Sequence, residues 1–131
     1  MDAESQNKPL QLLKSKTRNL YNSFENPIWC TSLKSNVYFN AQGFHHLLYD
    51  GLGRKRSQKQ QEKRLNFVQF IPSIIKNASI ESYRKVESHR TGSKEVKYWA
   101  LRTYINKDAE IRIVIKQIGS GNRIFWSAIP L

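Results

Sequence analysis

Four runs of alternating side chains occupy the C-terminal part of this chain and constrain everything before them. Ile80 to Val86, Glu95 to Ile105, Glu110 to Gln117 and Arg123 to Ile129 are rich in β-branched and aromatic residues, and Thr91-Gly92-Ser93, Asn106-Lys107-Asp108 and Gly119-Ser120-Gly121-Asn122 separate them. Turns this short join antiparallel neighbours, so the segment predicts a four-stranded antiparallel β-meander. Such a sheet needs an apolar layer against at least one face.

Alternation assigns the faces. Ile111, Ile113 and Ile115 point one way, and Arg112, Val114 and Lys116 the other. In the preceding run Trp99, Leu101 and Ile105, with Thr103, form the more apolar side; Tyr98, Arg102 and Tyr104 share the opposite side with Val96 and Ala100. The isoleucines are therefore expected to meet helices. The other face then interleaves Arg102, Arg112 and Lys116 with Tyr98 and Tyr104, a pattern suited to phosphate contact and base stacking. The plainer alternative is an ordinary solvated sheet face.

The helices lie upstream. Leu10, Leu12, Leu13, Leu20, Tyr21 and Phe24 recur at a spacing nearer 3.6 than 2, predicting a helix from about Pro9 to Phe24 that Pro27 stops. A loop through Trp29 and Leu33 precedes a short strand, Asn36 to Phe39. Asn40 is placed to cap a helix over Ala41 to Tyr49, whose Phe44, Leu47 and Leu48 form an apolar stripe that leaves His45 and His46 to one side. Asp50-Gly51-Leu52-Gly53 ends it, and the polar stretch from Arg54 to Arg64 begins a third helix running through Leu65, Val68 and Gln69, which Pro72 interrupts before a last turn at Ser73 to Lys76. The fold class is α+β, with N-terminal helices on one face of the four-stranded antiparallel meander. At 131 residues this is one domain. Residues 1–36 form an N-terminal helix and loop, and 37–131 the α+β core.

Charge narrows the partners. Twenty-two Lys and Arg face ten Asp and Glu, a net charge of +12, so the surface carries a positive field whatever local pairs form. RNA or DNA fits this best, because each Lys or Arg bound to phosphate releases counterions. Neither an amphipathic anchor nor a run of about 20 apolar residues is visible, and Met1-Asp2-Ala3-Glu4-Ser5-Gln6 lacks a basic region leading into an apolar one, so no membrane partner is expected. The lone Cys30 cannot form an internal disulfide and reads as a small buried hydrophobe. A cytoplasmic protein is expected, with delivery as an effector left open.

Several chemistries lack their residues. His45, His46 and His89 stand apart from Cys30 without HExxH or CxxC spacing, the few carboxylates are scattered, and neither a glycine-rich phosphate loop nor GxSxG occurs. No metal and no cofactor is expected. Metal-free RNA cleavage needs a proton acceptor, a proton donor and cations around the phosphorane, and His, Lys, Arg, Tyr and Ser can supply them.

The order of motifs sharpens this reading. Val37-Tyr38-Phe39-Asn40-Ala41-Gln42-Gly43-Phe44-His45-His46-Leu47-Leu48, a basic stretch, Phe70-Ile71-Pro72-Ser73-Ile74-Ile75-Lys76-Asn77, and four strands ending Phe125-Trp126-Ser127-Ala128-Ile129 resemble the phage- and polymorphic-toxin-associated branch of the barnase, EndoU, colicin tRNase and RelE-like nuclease superfold. The resemblance covers residues 37–131 and leaves the first helix outside. It implies a metal-independent ribonuclease toxin, with His46, three residues after Gly43, as the matched catalytic candidate and His45 as its neighbour and rival. It further implies that Arg54, Arg64 and Ser127 help to hold phosphate, and it admits an acidic antitoxin or immunity protein as a partner. Strand alternation adds Arg112 and Lys116 to the catalytic set, and Arg102, Tyr98 and Tyr104 to the RNA-binding set. The substrate would be tRNA, rRNA or mRNA. The competing reading is a non-catalytic basic nucleic-acid-binding module.

Overall fold

A computed structural model of the chain describes residues 8–88 and 94–131, with the side chains of Glu87 and Ser88 left aside. Residues 1–6, the Thr91-Gly92-Ser93 turn and His89 lie outside the described residues. The elements are helix α1 (Lys8–Asn22), strands β1 (Ile28–Cys30) and β2 (Ser35–Val37), helices α2 (Ala41–Leu48) and α3 (Gln58–Leu65), a 3-10 turn (Val68–Phe70), helix α4 (Ile71–Asn77), and strands β3 (Ile80–Ser88), β4 (Lys94–Asn106), β5 (Ala109–Ile118) and β6 (Ile124–Pro130). The last four form an antiparallel sheet in the order β3-β4-β5-β6, as their alternation predicts.

The inner face is the core. Leu101, Ile111, Ile113, Ile115, Phe125 and Ala128 are fully buried, and Leu47 of α2, Leu65 of α3 and Ile75 of α4 pack into the same cluster. Burying side chains of this size contributes roughly 1.5–3 kcal/mol each against the entropy of ordering the chain. At the α1 end, Tyr21 sits edge-on or tilted against Phe24, Phe39, Phe44 and Phe125. Its hydroxyl donates to Asn40 O at 2.6 Å, and burial pushes that hydroxyl well above its ordinary pKa.

Local chemistry explains the helix ends. The Asn40 side chain accepts from the N–H groups of Gln42 and Gly43, making it the N-cap of α2. Ser57 caps α3 by accepting from Gln60 N. The third helix therefore begins after residue 57 instead of at Arg54, and residues 50–56 form a loop in which Asp50 accepts from the backbone of Leu52 and Arg54. Pro72 does not break a helix. It lies in the first turn of α4, where the missing N–H removes no intrahelical bond. The loop expected around Trp29 contains the short strand β1, which pairs with β2 through Ile28↔Val37, Trp29↔Asn36 and Cys30↔Ser35. Three residues are too few for a period to show. Beyond β2, Tyr38 makes a parallel bridge to Ile124, joining this hairpin to the edge of the main sheet. Among the described residues, no helix is long and apolar enough to cross a membrane.

Candidate nucleic-acid interface and active site

Strand register arranges the outer face of the sheet in rows. Arg84, Tyr98, Lys116 and Ile124 are successive cross-strand partners, as are Ser82, Ala100, Val114 and Ser127, then Arg102, Arg112 and Ile129. The middle row is short-chained, so it forms a hollow of about 560 Å³ lined by Ser82, Arg84, Tyr98, Ala100, Arg112 and Val114.

Two β-bulges interrupt the strands around this hollow. In β6 the register steps from Val114↔Ser127 to Ile115↔Phe125, leaving Trp126 as the extra residue. In β3 it steps from Ile80↔Leu101 to Ser82↔Ala100, leaving Glu81 extra. Glu81 accepts from Arg112 Nε at 3.1 Å and Nη2 at 2.9 Å, and from Arg102 Nη1 at 3.4 Å. Arg102 also pairs with Glu110. Hydrogen bonding from Arg112 is the main reason the Glu81 carboxyl lies below its usual range, and the same bond raises Arg112. The Arg102/Arg112 row is therefore largely neutralised.

The uncompensated charge lies two rows away, across the short-chained row. Lys116 Nζ is 3.7 Å from the Trp126 ring centroid and 5.8 Å from that of Tyr98, with Arg84 4.9 Å from Tyr98 on its other side. Cations this close to aromatic rings are held by the ring quadrupole. Among the described residues, neither Lys116 nor Arg84 has an acidic partner. Burial lowers the Lys116 pKa.

His46 completes this line from the neighbouring helix. Its ring centroid is 4.1 Å from that of Trp126, so the imidazole and the Lys116 ammonium share one indole between them. Partial burial pulls the His46 pKa below its ordinary value, and the charges of His45, Lys116 and Arg56 add to the effect. The ring is thus neutral near pH 7 and able to accept a proton. An NMR titration of His46 should give a midpoint below 6.5, and Lys116→Met should move it upward only part of the way, since burial is the larger cause. A wild-type midpoint above 6.5 would contradict this environment.

His45 is placed differently. It stacks on Tyr49 with centroids 4.3 Å apart and lines a separate hollow with Arg18 and Gln42. Ser127 lies in the short-chained row opposite Val114, beside Trp126. Tyr104 is exposed near the end of β4. Arg54 is in the loop after α2, paired with Asp50 at 3.0 Å.

Arg64 departs from the expected solvated helix face. It is 8% exposed, its Nη1 donates to Ala128 O at 2.7 Å, and burial lowers it to about 10. It ties α3 to β6. Trp126 and Arg56, whose Nε donates to His46 O at 3.1 Å, were not singled out by the sequence pattern.

Residues 8–125 match the family model for large polyvalent protein-associated domain 3. The chain belongs to that family. The match includes α1, so the first helix is part of the large polyvalent protein-associated domain and not an appendage to it. It also spans His46, Arg84, Tyr98 and Lys116, and stops at Phe125, just before Trp126. No curated protein and no solved structure matches this domain.

Proposed function

We propose that this domain is a metal-independent endoribonuclease acting on RNA in a bacterial cytosol. The observation that carries this reading is the meeting of the His46 imidazole and the Lys116 ammonium at the Trp126 ring, beside a hollow lined by cations and aromatics. In the proposed reaction His46 takes the proton of a ribose 2′-hydroxyl. The 2′-oxygen then bonds to the adjacent phosphorus and the bond from phosphorus to the 5′-oxygen breaks. Lys116, whose pKa burial lowers, gives its proton to that leaving oxygen, and its charge before transfer stabilises the phosphorane. The products are a 2′,3′-cyclic phosphate and a 5′-hydroxyl.

Trp126, engaged by both His46 and Lys116, positions the pair, while Tyr98 offers a ring for a flanking base, Arg84 a phosphate contact, and Ser127 a hydroxyl for a non-bridging oxygen. Arg112 and Arg102 act through Glu81, steadying the far wall of the hollow. An acidic immunity protein would have the same uncompensated cationic row to cover.

The test is incubation of the purified domain with total RNA in EDTA, followed by analysis of the new termini. Discrete fragments ending in cyclic phosphate are expected. Intact RNA, with salt-dependent binding retained, would replace this reading with the non-catalytic binding module, for which the same aromatic and cationic row is suited.

A further inference from the structure

A third hollow, of about 530 Å³, opens where the β1–β2 hairpin meets the β5–β6 turn. One wall is Trp29, a large aromatic left 54% exposed, set on the outward side of the hairpin by its pairing with Asn36. The flanking Ile28 and Cys30 point inward and are buried, so the hairpin is anchored on one side and presents an indole and an amide on the other. Tyr38, whose backbone bridges to Ile124, and Asn122 complete the aromatic and amide lining. At the rim, Lys34 holds the left-handed conformation at φ 49°, which is uncommon for a side chain of this kind.

Gln117 closes one end of the hollow. Its Nε2 donates to Gly121 O at 2.8 Å, which fixes the amide so that Oε1 is the free end. That oxygen is shut off from solvent and has no donor among the described residues. An oxygen that water cannot reach is equally out of reach of a ligand's donor, so Gln117 braces this end of the hollow and the exposed amides of Asn36 and Asn122 are the groups that can meet a ligand. No acidic residue lines the space, whereas Lys34 provides a charge suited to phosphate. Gln117 follows Lys116 in β5, so the hollow lies at the same end of that strand as the proposed reaction centre but on the opposite face of the sheet.

We infer that this hollow is a nucleobase pocket: it takes one unstacked base of a single-stranded RNA beyond the cleavage point, stacked on Trp29 and read on its edge by Asn36 and Asn122, with Lys34 on its phosphate. The inference rests on the RNA reading above and adds where sequence preference arises. Each asparagine amide can both donate and accept, so the pair discriminates among bases by the order of donors and acceptors along the base edge.

The experiment uses 2′-O-methyl hexanucleotides, which lack the attacking hydroxyl and so report binding alone, with fluorescence anisotropy as the readout. Trp29→Ala is expected to weaken binding about tenfold, the usual order for loss of one base–aromatic stack, and Trp29→Phe to restore most of it. Asn122→Ala is expected to flatten the preference among bases at one position. If Trp29→Ala and Asn122→Ala bind with unchanged affinity and unchanged preference, the pocket is refuted, even where the wild type cleaves RNA. If both weaken or flatten binding while the wild type fails to cleave, the pocket stands and the nuclease reading falls. No binding by the wild type overturns the pocket as well.

Discussion

Under the proposed mechanism, His46→Ala lowers the rate of RNA cleavage by about a hundredfold to ten-thousandfold, the range that a positioned general base contributes, while His45→Ala changes it by less than about threefold. The two residues are adjacent in sequence and similar in composition terms, so the contrast depends on placement. His46 shares Trp126 with Lys116, whereas His45 stacks on Tyr49 beside a different hollow. Removing the His46 ring forfeits a contact worth about 1 kcal/mol, too little to unfold the domain. Lost activity in a variant with a near-native melting curve therefore reports chemistry. The pH dependence adds a sign. Because His46 is held below its ordinary pKa, the acidic limb of the rate profile should lie below pH 6.5, with activity present above it and lost as the ring protonates. Equal cleavage by the His46 variant and the wild type would remove the imidazole from the mechanism.

The arrangement that supports this prediction was only partly legible in the sequence. Alternation placed Ile111, Ile113 and Ile115 inward, and all three are fully buried; it also placed Arg102, Arg112 and Lys116 together on the outer face, as strand register does. A period of two has no means of marking an extra residue, and the two bulges fall where the chemistry is decided. Strict alternation along β6 would put Trp126 on the same side as Ala128, but the bulge lets Phe125 and Ala128 both face the core. Trp126 is thereby freed to meet His46. The bulge at Glu81 carries a carboxylate to Arg102 and Arg112, so three cations that look equivalent in sequence become two paired guanidiniums and one uncompensated ammonium. Arg64 was misplaced for a related reason. Its long stem crosses from a polar helix to Ala128, sixty-four positions away, and local composition does not encode such a partner.

Gly43→Ala should destabilise the domain by about 2 kcal/mol, although alanine is the better helix former by about 1 kcal/mol. Gly43 is where α2 lies closest to β6. A Cβ built there would stand 2.5 Å from Phe125 Cδ2, 2.6 Å from the Tyr21 hydroxyl oxygen and 2.7 Å from the Phe125 carbonyl oxygen. A side chain can yield by rotating, but the carbonyl belongs to the sheet and cannot, so the helix must move outward. Overpacking of this kind costs about 1–3 kcal/mol, sometimes more, and displacing Tyr21 endangers its 2.6 Å bond to Asn40 O, worth about 1 kcal/mol. In a domain of this size the melting temperature should fall by about 8 °C. The same displacement carries His46, on the next turn of α2, away from Trp126, so cleavage measured well below the melting transition should fall further than the unfolded fraction explains. A Gly43→Ala protein that melts at or above the wild-type temperature would mean that α2 does not rest on β6 at this point, and the route by which the helix delivers its imidazole to the sheet would be lost with it.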